Sequence, residues 1–164
     1  REAVGPNPTR VTKTVSREDE ITMPGNVTAE TAKKLIVQDG RRIGYETVFS
    51  VLNRMRLSSY MTKYIYIATN KHDKPVPEGA RIKVCRPRTE VTEDNFRYLQ
   101  ILDVICVFNE EYVDTPYKDN MLQKAIRNNI KDIEILFDLA KNYYPEVLET
   151  VKGLMEKLSE DIEK

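Results

Sequence analysis

The sequence is poor in the residues that build metal centres and disulfide frameworks. It has two cysteines, Cys85 and Cys106, and a single histidine, His72. Two cysteines are too few for a disulfide scaffold, and both lie in apolar segments, so we expect two buried, free thiols. One histidine without a cysteine cluster offers no ligand set for structural zinc. Because His72 lies in a polar turn, a histidine-activated nucleophile is not expected either. The sequence therefore predicts no metal and no cofactor.

Long apolar runs are also absent. No apolar stretch approaches the roughly 18 residues that indicate a membrane-spanning helix, and the opening REAVGPNPTR lacks the apolar segment of a signal peptide. Apolar residues make up 40% of the chain and charged residues 32%, which is typical of a soluble globular protein. At 164 residues the chain is long enough for one domain with a sizeable core. The expected location is the cytoplasm, without a membrane partner.

Motifs of common enzyme classes are missing as well. Neither the phosphate-binding motif G-x-x-x-x-G-K-[ST] nor the dinucleotide motif G-x-G-x-x-G is present. No lysine lies two positions after an acidic residue, as it would in a common metal-dependent nuclease signature. Acidic residues such as Asp132 and Glu146 fall in the first turns of predicted helices, where they complement the helix dipole. The chain is therefore predicted not to be an enzyme, and no residue is given a catalytic role.

What the sequence does contain is unevenly distributed charge. Over the whole chain, 26 basic residues balance 26 acidic ones. Residues 41–100 carry 12 Lys and Arg against 6 Asp and Glu, a balance of +6, whereas residues 101–164 carry 8 against 14, a balance of −6. Such a separation is typical of a basic binding surface, and equally of two parts of one fold that attract each other. Both alternatives stay open at the level of sequence.

Many of the basic residues surround a predicted β-hairpin. Its strands cover about 63–69, rich in β-branched and aromatic residues, and 81–87, where apolar and basic residues alternate. Two prolines and a glycine between them prevent either strand from continuing. The predicted nucleic-acid or partner-binding residues are Arg54, Arg56, Lys63, Arg81, Lys83, Arg86 and Arg88. Three tyrosines among them could stack on bases, namely Tyr60, Tyr64 and Tyr66. The alternative is that these cations dock on the acidic helices of residues 101–164.

The remaining pattern predicts an α+β fold in which several helices pack on a small sheet. A helix is expected over residues 26–40, with Asn26 or Thr28 as its N-cap and Gly40 at its end. An apolar stripe at helical spacing predicts a second helix over residues 44–57. Further helices are predicted over residues 92–108, 119–130, 132–144 and 145–163.

This pattern also suggests how the chain is divided. We expect an extended arm or connector at residues 1–25, an α+β domain at residues 26–115 and C-terminal helices at residues 116–164 that pack on it. Gly153 lies inside the last predicted helix, where glycine costs about 1 kcal/mol relative to alanine. Close packing against a neighbouring element is the expected reason for it.

The order of these elements resembles the C-terminal effector region of AbiEi-type antitoxins, which belong to type IV toxin–antitoxin systems of abortive infection. The resemblance covers roughly residues 26–158. The segments that carry the family's pattern are Lys33–Gly40, Gly44–Leu57, Tyr64–Thr69 and Arg81–Arg86. The ending DIEILFDLAKNYYPEVLETVKGLMEKL also resembles the family's closing pair of helices.

The resemblance implies a non-enzymatic antitoxin and transcriptional regulator that counteracts a nucleotidyltransferase toxin in phage defence. Members of the family repress their own operon through an N-terminal winged helix-turn-helix, whereas residues 1–25 are too short and too rich in proline to form one. Operator DNA, an RNA or an acidic protein face is then the expected partner of the basic residues. The alternative function is a general nucleic-acid-binding module that uses the basic hairpin.

Overall fold

Helices and short strands alternate in the first half of the protein, and helices alone form the second half. The structure, a computed structural model, describes residues 24–163 and, within them, the side chains of residues 27–160. The elements are α1 (Pro24–Ile36), β1 (Val37–Gln38), β2 (Arg41–Arg42), β3 (Gly44–Glu46), α2 (Phe49–Arg54), β4 (Ile65–Thr69), β5 (Ile82–Cys85), α3 (Phe96–Cys106), α4 (Lys118–Asn129), α5 (Ile133–Ala140) and α6 (Pro145–Glu163). The predicted α+β fold with a helical C-terminal part is confirmed. The predicted arm at residues 1–25 lies outside the described residues, except that its last two residues begin α1.

A three-stranded sheet of mixed direction forms the centre of the first half. Its strand order is β3–β4–β5, with β3 antiparallel to β4 and β5 parallel to β4. Both predicted strands therefore exist, but the hairpin expected from residues 63–69 and 81–87 is wrong. Parallel neighbours need a crossover of about a dozen residues, and residues 70–81 provide it. Val76 and Ala80 of this crossover pack on an apolar cluster beside the sheet, which holds the returning chain in place.

The region after α1 differs from the predicted first helix. The chain reverses between β1 and β2 at Asp39 and Gly40, whose φ angles of 52° and 77° are both positive, as a type I′ turn requires. Gly40 is thus a hairpin residue and does not end a helix. Thr28, one of the two expected caps, lies inside α1, and its Oγ1 accepts a hydrogen bond from the backbone N–H of Arg81 (3.0 Å).

The helix predicted over residues 44–57 is shorter than expected because its first residues form β3 and pair with β4. Gly44 lies where no side chain fits. A Cβ atom there would lie 2.8 Å from the carbonyl oxygen of Ala68 and against the carbonyl oxygen of Leu35. The next residue, Tyr45, is consequently a buried strand residue and not part of a helical stripe.

Two apolar clusters lie on opposite faces of the sheet. Neighbouring residues of a strand point to opposite faces, and in β4 Ile67 belongs to the small cluster beside α1 while Ala68 belongs to the main core. The main core also contains residues of α2 to α6, so the sheet and the C-terminal helices share it. Leu52, Leu99 and Leu136 are fully buried there.

Three further observations bear on the predictions. A Cβ atom at Gly153 would meet no atom within 4 Å, so close packing does not explain this glycine. Cys85 and Cys106 are free, but Cys85 is only half-buried and Cys106 is exposed, so the expected burial of both thiols is wrong. Between residues 24 and 163, no helix has the length and apolar character needed to cross a membrane.

Candidate nucleic-acid interface

All seven predicted binding residues are exposed. The structure places them at the end of α2 (Arg54) and just beyond it (Arg56), in the loop before β4 (Lys63), immediately before β5 (Arg81), in β5 (Lys83) and after β5 (Arg86, Arg88). Ion pairs occur elsewhere, for example between Arg42 and Glu93 (3.1 Å). Among the described side chains, those of residues 27–160, none of the seven pairs with a carboxylate. The expected alternative, docking of these cations on the acidic helices, therefore has no salt bridge to support it, although Arg88 packs on Tyr143 and Tyr144 between α5 and α6.

Strand β5 presents two of these cations beside aromatic rings. Arg81 and Lys83 flank the buried Ile82, so their side chains lie on the opposite face of the sheet. The parallel register pairs Lys83 with Tyr66 of β4. Nζ of Lys83 lies 4.5 Å from the ring centroid of Tyr64, which is within the range of a cation–π contact.

A cluster of four aromatic rings continues this face of the sheet. Phe49, at the start of α2, is its centre: its ring centroid lies 4.9 Å from that of Tyr60, 5.4 Å from that of Tyr66 and 4.8 Å from that of Tyr112. Phe49 is half-buried, whereas Tyr60 is 50% exposed. The rings therefore form a continuous aromatic surface from the edge of the core to solvent.

The loop that carries Tyr60 is fixed at its base. Ser59 donates two hydrogen bonds to Asp114, from Oγ to Oδ2 (2.6 Å) and from its backbone N–H to Oδ1 (3.2 Å). The backbone N–H of Asp114 in turn donates to the carbonyl of Leu57 (3.2 Å). The tip of the loop is exposed, with Met61 at 81%. The loop thus holds apolar and aromatic side chains in solvent from a fixed base.

The aromatic cluster has an acidic side as well as a basic side. Burial and the neighbouring Glu110 carboxylate raise the pKa of Tyr112, so a negative charge is disfavoured at this end of the cluster. Lys83 lies at the Tyr64 side of the same face. An anionic ligand is favoured on the Tyr64 and Lys83 side and disfavoured near Glu110.

The two arginines of α2 belong to a different part of the surface. Arg54 and Arg56 line a groove of about 330 Å³ against α4, together with Lys124 and the amide side chains Asn128 and Asn129. We call it the α2–α4 groove. The other five predicted residues do not line it. The seven residues therefore form more than one site, and Lys124 is a basic neighbour that sequence spacing did not indicate.

Arg88 contacts a polar cluster that the sequence did not predict. Its Cζ lies 4.4 Å from the ring centroid of Tyr144 and 5.5 Å from that of Tyr143, both between α5 and α6. The hydroxyl of Tyr143 donates to Oδ1 of Asp103 (2.8 Å). The only sequence signal for this cluster is a single carboxylate within the apolar stretch LQILDVICVF.

The carboxylate of Asp103 is enclosed by three hydroxyl groups. Besides Tyr143, Tyr45 and Thr47 donate to its Oδ2, each at 2.7 Å. Burial raises the pKa of Asp103, and the bonds from Thr47, Tyr45 and Tyr143 lower it in part, so the net direction is upward. Asp103 keeps some exposed surface, but both of its carboxylate oxygens already accept hydrogen bonds from these hydroxyls. The cluster therefore joins β3, α3 and the α5–α6 connection.

The described residues contain no group of three or more His, Cys, Asp or Glu side chains that could hold a metal ion. Comparison of the chain with models of protein families, with curated proteins and with solved structures finds no match. The resemblance to AbiEi-type antitoxins therefore stays a prediction. Function must be inferred from the exposed surface itself.

Proposed function

We propose that this protein is a nucleic-acid-binding module that holds a single strand on the face of the sheet around β5. The observation that carries the proposal is the position of Lys83 over the exposed ring of Tyr64, beside the aromatic cluster around Phe49. Proteins that bind single strands combine cations for the phosphates with aromatic rings on which bases stack. This face offers both.

The polarity of the face suggests how a strand lies on it. Bases would stack on Tyr60 and Tyr64, whose rings are 50% and 41% exposed. Phosphates would contact Arg81 and Lys83, which have no carboxylate partner where side chains are described, in residues 27–160. The Glu110 carboxylate would keep the backbone away from the opposite end of the aromatic cluster.

The test is a binding titration of a labelled single-stranded RNA of about twelve nucleotides, followed by fluorescence anisotropy at several salt concentrations. Wild-type protein should bind, with an affinity that falls as salt rises. Changing Arg81 and Lys83 to alanine should weaken binding and reduce the salt slope by ~0.7 for each phosphate that is no longer neutralised. Tyr60→Ala should also weaken binding, because stacking contributes about 1–3 kcal/mol per base.

Matched controls separate a defined site from general attraction to charge. Lys152→Ala removes a cation that pairs with Glu149 on α6 (3.4 Å), and it should leave affinity unchanged. Tyr117→Ala removes a tyrosine that is 63% exposed and has no ring contact within the described residues. Equal losses in test and control variants, or no binding by folded wild type, would show that the β5 face is not a nucleic-acid site.

The AbiEi-type resemblance suggests a more specific role for the same face, the antagonism of a nucleotidyltransferase toxin in the cytoplasm. The succession of α1, the two strands β4 and β5, and the closing helices α5 and α6 supports it. Co-expression with a nucleotidyltransferase encoded beside the gene should restore bacterial growth. Rescue should fail when Arg81, Lys83 and Arg86 are changed to alanine in a protein that stays folded. A folded wild-type chain that gives no rescue contradicts the antitoxin role and leaves the nucleic-acid module standing.

A further inference from the structure

Every charged residue that lines the α2–α4 groove is a cation. Its eight lining residues include three cations, Arg54, Arg56 and Lys124, two asparagines and no carboxylate. None of the three cations forms an ion pair with any side chain of residues 27–160. A volume of about 330 Å³ is at the lower end of the range found for small-molecule sites. The groove is thus large enough for a small anionic ligand.

The backbone of Arg56 is held in a conformation that favours glycine. Its φ is 62°, and it occupies the residue just beyond the end of α2. The backbone N–H of Leu57 donates to the carbonyl of Leu52 (2.8 Å), and that of Arg56 donates to Asn53 (3.1 Å). This pair of bonds is the Schellman pattern, in which glycine usually takes the left-handed position. An arginine there adds backbone strain, which the two hydrogen bonds of the motif hold in place.

Arg54 is oriented from the other side of the groove. Its Nη2 donates to Oε1 of Gln100 (3.5 Å), and Nε2 of Gln100 donates to the carbonyl of Glu46 (2.9 Å). The guanidinium is therefore linked through α3 to β3. Its remaining N–H groups have no partner within the described residues, and they are available for a ligand.

The two helix ends at the groove do not balance this charge. α2 and α4 both present their C-termini, each equivalent to about half a negative charge. Three carbonyls at the end of α2 already accept hydrogen bonds from the backbone N–H groups of residues 55–57. Two helix ends therefore offset at most about one of the three positive charges. The groove keeps an excess of roughly two positive charges, which matches a phosphate monoester near pH 7.

We infer that the α2–α4 groove binds a phosphate group. Arginine side chains contact phosphate oxygens through two N–H groups at once, and a lysine adds a point charge. The phosphate could belong to a free nucleotide or to the end of a nucleic-acid strand, and both carry the same monoester. This site is separate from the β5 face, and the inference does not depend on the nucleic-acid function proposed for that face.

Calorimetric titration at low salt tests the inference with inorganic phosphate, AMP and, as a matched ligand without phosphate, adenosine. Phosphate and AMP should bind, and adenosine should not. Arg56→Gly and Lys124→Ala should each weaken phosphate binding at least about tenfold, the loss expected for one charge-assisted hydrogen bond. Lys152→Ala, which removes a cation that lies outside both sites and pairs with Glu149, should leave phosphate binding unchanged.

The unfolding midpoint of Arg56→Gly distinguishes a binding role of Arg56 from a purely structural one, because the two roles predict changes in opposite directions. Because glycine suits the φ of Arg56, Arg56→Gly should raise the unfolding midpoint while it removes phosphate binding. If wild type binds neither phosphate nor AMP, the inference is wrong. A lower midpoint for Arg56→Gly without any phosphate effect would show that the cations only complement the helix ends.

A comparison of 5′-phosphorylated and 5′-hydroxyl oligonucleotides identifies the source of the phosphate. Tighter binding of the phosphorylated strand, abolished in Arg56→Gly, would support the inference with a strand end as ligand. Equal binding of both strands, combined with Arg56-dependent binding of AMP, would support it with a free nucleotide as ligand. Binding of AMP that survives both Arg56→Gly and Lys124→Ala would place the ligand elsewhere and overturn the inference.

Discussion

Replacing Asp103 by leucine removes the common acceptor of three hydroxyl groups. Leucine is close to aspartate in length but accepts no hydrogen bond, so Tyr45, Thr47 and Tyr143 would all lose their partner. These residues are only 1%, 2% and 8% exposed, which prevents water from replacing the carboxylate. Each buried hydroxyl without a partner costs roughly 1–3 kcal/mol. The expected loss is about 3–9 kcal/mol, comparable to the whole stability of roughly 5–15 kcal/mol of a typical domain.

Asp103→Asn is the matched control because its amide oxygen still accepts hydrogen bonds. It also tests the direction of the pKa shift. In the folded protein the pKa of Asp103 lies above its ordinary value of 3.8, so the folded state holds the proton more tightly than the unfolded state. The resulting stability is complete below pH 3.8 and is lost as pH rises through the raised pKa. Asparagine does not titrate, so Asp103→Asn should gain stability relative to wild type across that window.

Urea unfolding followed by circular dichroism, at several pH values on both sides of 3.8, measures both effects. Asp103→Leu should be largely unfolded or close to it without urea, whereas Asp103→Asn should unfold cooperatively. A loss below about 1 kcal/mol for Asp103→Leu would mean that the three hydroxyls do not depend on Asp103. If the difference in the free energy of unfolding between wild type and Asp103→Asn does not change with pH, the pKa of Asp103 is not raised by folding.

Further substitutions test the packing and the thiols. Gly44→Ala should destabilise the protein by more than about 3 kcal/mol, because the new Cβ meets backbone oxygens; Gly153→Ala, with open space around it, should instead stabilise by about 1 kcal/mol. Thermal unfolding checks both, and a mild Gly44→Ala would contradict the close approach. Leu52→Ala should cost about 2–5 kcal/mol in urea unfolding because Leu52 is fully buried; a loss within ~0.5 kcal/mol would place it on the surface. Cys106 is exposed as a residue, but partial desolvation of its thiol and the Asp103 charge raise its pKa to about 11, so in a Cys85→Ser background its alkylation at pH 8 should be slow and should accelerate as pH rises towards 11. Alkylation as fast as that of a small free thiol would contradict the shift.

The helices of the second half were predictable because their signals are local. The apolar run of residues 92–108 is too long for a typical strand and begins with a helix-start signal at Thr92, which indicates α3, and Pro145 marks the start of α6. The direction of β5 was not predictable in this way. Its pairing with β4 depends on the path of residues 70–81 across the sheet, and that path is set by packing between segments distant in sequence.

The same distinction applies to the site. The exposure of the basic residues could be predicted from the sequence, because they are charged and because those near β5 alternate with apolar neighbours. Their grouping does not follow from spacing, because Lys124 joins Arg54 and Arg56 only through the packing of α4 beside α2. Asp103 and Tyr45 are 58 residues apart in the chain, and nothing local to either residue indicates the bond between them.

Strand β5 lies at the edge of its sheet, because the strand order gives it a partner only on the β4 side. An edge strand can pair with the edge of a second molecule, and positively charged side chains along it prevent this by mutual repulsion. Arg81, Lys83 and Arg86 are therefore expected to keep copies of the protein apart at high concentration. Changing them to apolar β-branched residues would create an aggregation-prone edge. Glutamine or alanine would also remove the repulsion, but without adding apolar residues that favour strand pairing. A polyanion bound to these cations would also shield the edge of β5 from a second molecule. The protein is then protected from self-association both when it is free and charged and when it is bound, but not when substitution removes the charges.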